Sequence, residues 1–263
     1  MMRRGRALSI TVIDPFSVAA DAAMPFLARA LNPVEVQHQF ACHLSRLTGG
    51  KDTVALRTIR VTRYKPGRRC LIEYEVEVKR PGDSSTSITI VGKGRAKGLD
   101  QASYELLESL WNAGFGADSE DGISVPEPLG VIPELQMWFQ RKVPGLAATQ
   151  LLAAADGVAL ARRIAEAVYK LQQAGIPPYR RHTMADELRI LHECLPLVAQ
   201  MKPQWANRLD RVLAACDRLG AATPAPQCKG IHRDFYADQV IVDGARLYLV
   251  DFDLYCEGDP GLD

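Results

Sequence analysis

The hydrophobic period of this 263-residue chain changes near its middle, and this change constrains the fold more than any other feature. From Thr58 to Lys93, β-branched and aromatic residues occur in runs with a period of two, which is typical of half-buried strands. Beyond residue 145, apolar residues recur at the three-to-four-residue spacing of helices. A strand-rich half followed by a helical half predicts a two-lobed α+β fold.

Helices and an antiparallel hairpin are predicted for the first half. Asp21–Leu47 carries two apolar helical stripes that break at Pro33. The turn signal Tyr64–Arg69, which contains Pro-Gly, separates the first two strands, and a third strand follows at Ser87–Lys93. The other predicted elements are a helix from Asp100 to Asn112, an irregular or edge segment at Val125–Val131 and a strand at Leu135–Lys142.

The second half is predicted to be mainly helical, with one short hairpin. A Pro-Gly dipeptide ends the first half, which gives predicted lobes of residues 1–143 and 144–263. The hairpin joins Gln239–Val242 to Leu247–Asp251 through an Asp-Gly turn. The predicted helices are Thr149–Ala155, Val158–Ala174, Met184–Ala199 and Pro203–Leu219.

The composition excludes several classes of protein. Lys and Arg total 32 against 31 Asp and Glu, so the charge does not indicate a nucleic-acid binder or a protein bound to anionic membranes. No run of about 18 apolar residues occurs, and Ala7–Ile13 is too short for the core of a secretory signal. The six cysteines are scattered without metal-binding spacing. We therefore expect a cytoplasmic protein with reduced thiols, and the oligomeric state is left open.

Two carboxylates and an amide oxygen are predicted to come together near the end of the chain. His232–Gln239 is a loop that leads into an apolar strand, and a second strand after a tight turn delivers Asp251 beside it. In-line phosphoryl transfer needs a carboxylate that orients the attacking hydroxyl and hard oxygen ligands for Mg²⁺. The pattern therefore predicts a phosphotransferase site.

The same residues resemble a known family. The loop is similar to the catalytic loop of the aminoglycoside phosphotransferase and choline kinase superfamily, which is related to the protein kinases, and Asp251–Asp253 resembles its metal-binding segment. Cys256–Asp263 resembles the GDPxxD run that follows. The resemblance implies a protein-kinase-like fold, with Asp234 as the general base and Gln239 and Asp251 as Mg²⁺ ligands. Gln239 stands where most members have asparagine, and maltokinase-like members share the glutamine.

The resemblance also implies an ATP site in the first half. Lys93 would hold the α- and β-phosphates and pair with Glu105, although Lys97 and Glu108 compete for these two roles. Tyr64–Tyr74 lies where the family has the hairpin that covers the phosphates. The adenine would lie against main-chain groups of Phe139, Gln140, Arg141 and Lys142.

The predicted activity is transfer of the γ-phosphoryl group of ATP to a hydroxyl of a small molecule, with Mg²⁺ as the second cofactor. By the resemblance, His232 braces the catalytic loop, and Asp263 is interpreted as a loop-bracing or helix-capping residue. The superfamily continues with further helices beyond the run matched by Cys256–Asp263, so the chain is interpreted as truncated or minimal.

Two questions stay open at this point. A kinase-like module that binds nucleotide without catalysis is the alternative to an active enzyme. The acceptor is not identified, although ten basic residues outnumber six acidic ones between Val158 and Leu219. This local charge favours a neutral or anionic acceptor over a polycation such as an aminoglycoside.

Overall fold

The computed structural model describes residues 10–44, 53–79 and 85–263. Both strands and helices occur in these ranges, so the predicted α+β class is confirmed. The strands are β1 (Thr11–Ile13), β2 (Thr53–Lys65), β3 (Arg69–Lys79), β4 (Ser85–Arg95), β5 (Ile123–Ser124), β6 (Pro128–Ile132), β7 (Met137–Arg141), β8 (Leu146–Ala147), β9 (Lys229–Ile231), β10 (Val240–Asp243), β11 (Arg246–Leu249) and β12 (Cys256–Gly258). The α-helices are α1 (Leu27–Ala30), α2 (Pro33–His43), α3 (Gln101–Leu110), α4 (Gly157–Gln173), α5 (Met184–Met201) and α6 (Ala206–Ala222).

The chain divides into two compact units. The first comprises Met1–Ala148 together with Val240–Val250, and the second comprises Thr149–Gln239 together with Asp251–Asp263. The large sheet belongs to the first unit, and α4, α5 and α6 belong to the second. The lobe limits at residues 143 and 144 stay a prediction.

The large sheet of the first unit has six strands among the described residues, in the order β1-β2-β3-β4-β7-β6. β1 runs parallel to β2, and the other neighbours are antiparallel. The predicted hairpin, third strand and edge segment are thereby confirmed. Between β2 and β3 the N–H of Arg68 donates to the Lys65 carbonyl at 3.0 Å. Pro66 and Gly67, with φ of 60° at Gly67, form the centre of this type II turn.

Two short helices, α1 and α2, cover one face of this sheet. α2 begins at Pro33 because the Asn32 side chain accepts two N–H groups of the first turn, and proline suits the first helical position. The prediction of helix from Asp21 onward is wrong in its first part, since the Asp21 carboxylate accepts the N–H of Ala23 and holds a turn there. Residues 45–47, the end of that predicted helix, lie outside the described residues.

Three aromatic rings form the centre of the core between α2 and the sheet. The Phe40 ring meets those of Tyr74 and Phe139 edge-on, with centroids 5.1 and 5.3 Å apart. All three side chains are fully buried, and each such ring contact contributes about 0.5–1.5 kcal/mol beyond the burial of its area. A Cβ at Gly92 would come within 2.8 Å of both Met137 and Phe139. Glycine at this position therefore lets the rings pack directly on β4.

The other face of the sheet, which we call the open face, points away from α1 and α2. Leu71, Val91 and Lys93 alternate with core residues of β3 and β4, so they lie on this face and are only partly buried. α3 packs against β6 and β7. It begins after Asp100, whose carboxylate accepts the N–H of Ser103 at 3.2 Å, so the predicted cap is confirmed.

β10 and β11 form the predicted hairpin around an Asp-Gly turn. β11 pairs with β5 and β10 pairs with β8, so the hairpin belongs to the first unit. The Arg246 guanidinium donates to the hydroxyls of Ser119 at 2.9 Å and Ser124 at 2.5 Å. Gly145 approaches the hairpin so closely that a Cβ would lie 2.1 Å from the Val242 carbonyl oxygen. These contacts fix the hairpin within its unit.

Three of the four helices predicted for the second unit are confirmed as α4, α5 and α6. The fourth, at Thr149–Ala155, is wrong because the chain makes tight turns there. The N–H of Ala154 donates to the Leu151 carbonyl, and that of Gly157 donates to the Ala154 carbonyl. A Cβ at Gly157 would lie 2.0 Å from the Leu152 carbonyl oxygen, so glycine permits this bend. No helix in the described part of the chain is long and apolar enough to span a membrane.

Candidate active site

Two three-residue strands frame the predicted catalytic loop. β9 leads into His232, and β12 follows the segment that begins at Asp251, and the two strands pair antiparallel. A Cβ at Gly230 in β9 would lie 2.0 Å from the Tyr255 hydroxyl oxygen, so only glycine admits the ring there. The sequence did not predict these strands, because three residues are too few to show a period.

His232 is fully buried at the start of the loop. Its ring contacts those of Phe235 and Phe252, with centroids 5.6 and 5.0 Å away. Phe235 belongs to the loop, whereas Phe252 follows Asp251. The imidazole therefore packs the loop against the segment that carries Asp251, in agreement with the bracing role predicted for His232.

The Asp263 carboxylate holds the main chain of the same loop. It accepts the N–H of His232 at 3.0 Å and the N–H of Arg233 at 2.7 Å. The side-chain amide of Gln172 lies 3.5 Å from the same carboxylate. Hydrogen bonds to a charged acceptor are stronger than neutral ones. The prediction that Asp263 is a loop-bracing residue is confirmed.

Arg233 and Asp251 have left-handed backbone conformations, with φ of 69° and 65°. Non-glycine residues rarely adopt this conformation, which costs about 1–3 kcal/mol and persists only where the surroundings fix it. Here the surroundings include the hydrogen bond from Arg233 to Asp263 and the packing of Phe252. At both positions the contacts that hold this conformation also hold the loop that carries Asp234.

The predicted catalytic residues of the second unit differ in exposure. Asp234 is exposed on the loop. Gln239 is 6% exposed and ends a short turn in which its N–H donates to the Tyr236 carbonyl at 2.8 Å. Asp251 is half-buried and precedes the turn Phe252–Leu254. The loop thus presents the Asp234 carboxylate to solvent and holds the Gln239 amide nearly out of it.

The available donors limit the kind of metal that this region can hold. Within residues 10–44, 53–79 and 85–263, no group of three or more His, Cys, Asp or Glu side chains is placed to bind a metal ion. The predicted donors are the Asp251 carboxylate and the Gln239 amide oxygen, which are hard ligands. Mg²⁺ commonly takes one or two carboxylates together with waters and phosphates, so this donor set fits Mg²⁺ held jointly with a nucleotide.

Lys93 lies on the open face, with its Nζ 4.7 Å from the centroid of the Trp138 ring. The Tyr104 ring from α3 packs on the same tryptophan at 6.5 Å, and its hydroxyl donates to Glu108 at 3.2 Å. Lysine over an aromatic ring is a favourable cation–π contact. The sequence analysis did not single out Trp138. Adjacent residues of a strand face opposite sides of the sheet, so the position of Trp138 next to the core residue Phe139 indicates that it lies on the open face.

The two candidates for the acidic partner of Lys93 differ in their contacts. Glu105 is exposed and accepts a hydrogen bond from the Gln101 side chain at 3.1 Å. Glu108 is partly buried and accepts a hydrogen bond from the hydroxyl of Tyr104, whose ring packs on Trp138. The pairing of Lys93 with Glu105 or with Glu108 stays a prediction, and Lys97 is exposed beyond the end of β4.

The predicted adenine-binding residues lie in and just after β7. The Phe139 side chain is fully buried in the core, away from the open face, and Gln140 is 8% exposed. The N–H of Arg141 donates to the Glu127 carbonyl at 2.9 Å, and the N–H of Lys142 donates to the Thr89 carbonyl at 2.8 Å. Two of the main-chain N–H groups that were predicted to contact adenine therefore already donate hydrogen bonds to main-chain carbonyls of the same unit.

Comparison with known proteins agrees with the predicted family. Residues 102–263 match the model of the phosphotransferase enzyme family. A search of curated proteins finds no match. Among solved structures, a thermostable mutant of aminoglycoside phosphotransferase APH(4)-Ia, in complex with AMP-PNP and hygromycin B, is 15% identical with a TM-score of 0.54. That match covers 78% of this chain and 70% of that chain and confirms the protein-kinase-like fold.

Two further solved structures are also similar. A choline/ethanolamine kinase family protein from Mesorhizobium loti is 19% identical over 76% of this chain and 60% of that chain, with a TM-score of 0.49. A glucosamine kinase in complex with glucosamine, ADP and inorganic phosphate is 18% identical over 84% of this chain and 58% of that chain, with a TM-score of 0.45. Because the family model matches more than half of the chain, this protein belongs to the phosphotransferase enzyme family.

Proposed function

We propose that this protein is a kinase that transfers the γ-phosphoryl group of ATP to a hydroxyl of a small molecule, with Mg²⁺ as cofactor. The braced loop around Asp234 carries this proposal. Its main chain is held by Asp263 on one side of the strained residue Arg233, and the exposed Asp234 follows directly. A fixed, solvent-facing carboxylate suits a group that must meet an incoming hydroxyl.

Asp234 would act as the general base. Its carboxylate would accept a hydrogen bond from the acceptor hydroxyl and take the proton as the oxygen bonds to the γ-phosphorus. The bond from the γ-phosphorus to the bridging oxygen breaks at the same centre, and ADP leaves. Positioning of the hydroxyl is the main contribution, because phosphoryl transfer leaves little covalent chemistry to the protein.

Asp251 and Gln239 would hold Mg²⁺, which when bound neutralises charge on the nucleotide phosphates. Asp251 supplies the negative charge. Gln239 supplies a neutral oxygen, and its burial restricts the side chain to few conformations. Asp251 is therefore expected to contribute most of the affinity for Mg²⁺, and Gln239 is expected to adjust the coordination geometry.

The open face of the large sheet would hold the nucleotide. Lys93 would contact the α- and β-phosphates and pair with Glu105, with Glu108 as the alternative partner. Leu71 and Val91 offer a partly exposed apolar surface on the same face, which suits an adenine ring. Because the N–H groups of Arg141 and Lys142 are used in the sheet, we expect the main-chain contact to the base to lie beyond them.

The acceptor is proposed to be neutral or anionic. Ten Lys and Arg residues against six Asp and Glu between Val158 and Leu219 disfavour a polycation in the helical unit. We also propose that the protein acts in the cytoplasm. Because its overall charge is nearly balanced, we propose that it acts on small molecules and not on nucleic acid.

Thermal unfolding with ligands and an acceptor panel test this function. ATP with Mg²⁺ at a hundredfold excess over Kd is expected to stabilise the protein by about 2.7 kcal/mol, and ATP with EDTA serves as the control. In the panel of sugars, amino alcohols, hydroxy acids and aminoglycosides, we expect turnover of roughly 1–100 s⁻¹ with a neutral or anionic acceptor.

Each other outcome of this experiment has a definite meaning. Stabilisation by ATP without turnover across the panel would favour the catalytically silent nucleotide-binding module. No stabilisation by any nucleotide would exclude both the kinase and the module. The highest kcat/KM with an aminoglycoside would show that the charge argument is wrong.

Gln239→Leu is expected to raise the Mg²⁺ concentration needed for half-maximal activity by about tenfold without abolishing ATP binding, since one neutral ligand oxygen is lost. Leucine has a similar volume, so the buried site keeps its packing. Gln239→Asn is the matched control, with a mild effect because it keeps the amide. Titration of activity with Mg²⁺ measures the change, and an unaltered Mg²⁺ dependence in Gln239→Leu would show that Gln239 is only a packing residue.

A further inference from the structure

One carboxylate ties the segment that precedes the large sheet to the turn between β2 and β3. Asp21 Oδ2 accepts the main-chain N–H of Gly67 at 3.0 Å and the hydroxyl of Tyr64 at 2.8 Å. Its Oδ1 accepts the N–H of Ala23 at 2.8 Å within its own segment. Asp21 is therefore the link between two parts of the chain that are more than forty residues apart.

Aromatic contacts hold the same two parts together. The Phe16 ring packs on the Tyr64 ring with centroids 6.0 Å apart. Phe26 packs on β4 at Gly94, where a Cβ would come within 2.7 Å of the phenyl ring. Gly94 directly follows Lys93, so the leading segment contacts the turn and also the strand that carries the phosphate-binding lysine.

The β2–β3 turn is cationic and lies at the end of the sheet that is nearer to Lys93. Leu71 is the register partner of Lys93, and the turn ends two residues earlier at Arg69. Lys65 and Arg68 are exposed on the turn, where cations attract phosphate. The N–H of Ala96, just after β4, donates to the Arg68 carbonyl at 3.0 Å. The turn is thus fixed to β4 on one side and to Asp21 on the other.

The charge on Asp21 is well suited to this contact. The hydrogen bonds from Gly67 and Tyr64 lower the pKa of the Asp21 carboxyl, so it stays ionised near neutral pH. An ionised acceptor bonds the Gly67 N–H more strongly than a neutral one. It also offsets repulsion among the cations of the turn.

We propose that Asp21 is a positioning residue that holds the β2–β3 turn in place for the phosphates of the nucleotide. It acts through Gly67 and Tyr64 and does not itself contact the nucleotide. The proposal rests on the proposed function, since it assigns a role within the same ATP site.

Calorimetric titration of ATP in the presence of Mg²⁺ tests this role. Asp21→Ala is expected to raise the Kd about tenfold, or about 1.4 kcal/mol, and to change kcat less than twofold. Asp21→Asn keeps a side-chain acceptor and is expected to recover part of the affinity. Asp14→Ala is the matched control, because it removes a carboxylate of the same segment that accepts the N–H of Phe16 at 3.2 Å. An unchanged Kd in Asp21→Ala would overturn the proposal.

Hydrogen exchange of residues 64–70 gives a readout that does not need activity. In Asp21→Ala we expect the Gly67 amide to exchange faster, whereas in Asp14→Ala its exchange should stay unchanged. If the unaltered protein binds no nucleotide, the proposed function and this role both fail, even if exchange still shows the Asp21 contact. If nucleotide binds normally and exchange at Gly67 does not change, only the positioning role is overturned.

Discussion

Asp234→Ala is expected to lower kcat by about 10²–10⁴-fold, because the acceptor hydroxyl loses both its orienting carboxylate and its proton acceptor. The Kd of ATP should stay within about twofold, because the proposed nucleotide contacts lie elsewhere. The exposed side chain also predicts no loss of folding stability. ATP consumption with the best acceptor of the panel measures the effect.

The same loop offers a control for this prediction. Asp238 is also exposed, and its carboxylate accepts a hydrogen bond from the Thr149 hydroxyl. Asp238→Ala removes an equal charge from the loop and should leave kcat within a few-fold. Full activity in Asp234→Ala would remove the proposed mechanism, and an equal loss in both variants would show that the charge of the loop, and not Asp234, matters.

Asp263→Ala is expected to reduce both stability and activity. The main-chain N–H groups of His232 and Arg233 lose their acceptor. An unsatisfied buried donor costs about 1–3 kcal/mol, and these two are only partly buried, so we expect a total loss of about 1–3 kcal/mol. Arg233 is then released from its strained conformation, and kcat should fall at least tenfold. Urea unfolding and steady-state kinetics measure the two effects.

Two variants separate the brace from a general effect of charge. Asp263→Asn keeps one acceptor oxygen and should be intermediate in both measurements. Asp259→Ala removes a carboxylate of the same segment that accepts the N–H of Gly261 at 2.8 Å, and it should leave kcat nearly unchanged. If Asp263→Ala folds and turns over like the unaltered protein, the loop does not depend on this brace.

The sequence predicted those parts of the fold that depend on local signals. The β2–β3 hairpin follows from period-two strands around a Pro-Gly turn, and the α3 cap follows from Asp100 ahead of an apolar stripe. The family was predicted from the loop and the segment after β11, since their residue types and spacing are sequence properties. The roles of Asp234, Gln239 and Asp251 stay predictions that the experiments above address.

Other features depend on contacts between distant residues, which no local pattern reveals. Asp21 meets Gly67 across 46 positions, and its sequence neighbours indicated only a helix. The Trp138 ring lies under Lys93, a contact between β4 and β7 that the residue spacing did not indicate. The turns at Thr149–Ala155 replaced a predicted helix because a close main-chain approach at Gly157 overrides the propensity of an alanine-rich run.

Gly92 and Gly94 leave two successive core-facing positions of the strand that carries Lys93 without side chains. Aromatic rings and Met137 occupy that space, so a methyl group at either glycine would collide with them. At these positions β4 therefore tolerates substitution on the open face and not on the face that packs on the core. Substitutions at Val91 and Lys93 change the chemistry of the open face without repacking the interior. Changes to this part of β4, by evolution or in the laboratory, are therefore expected at the residues that face away from the core.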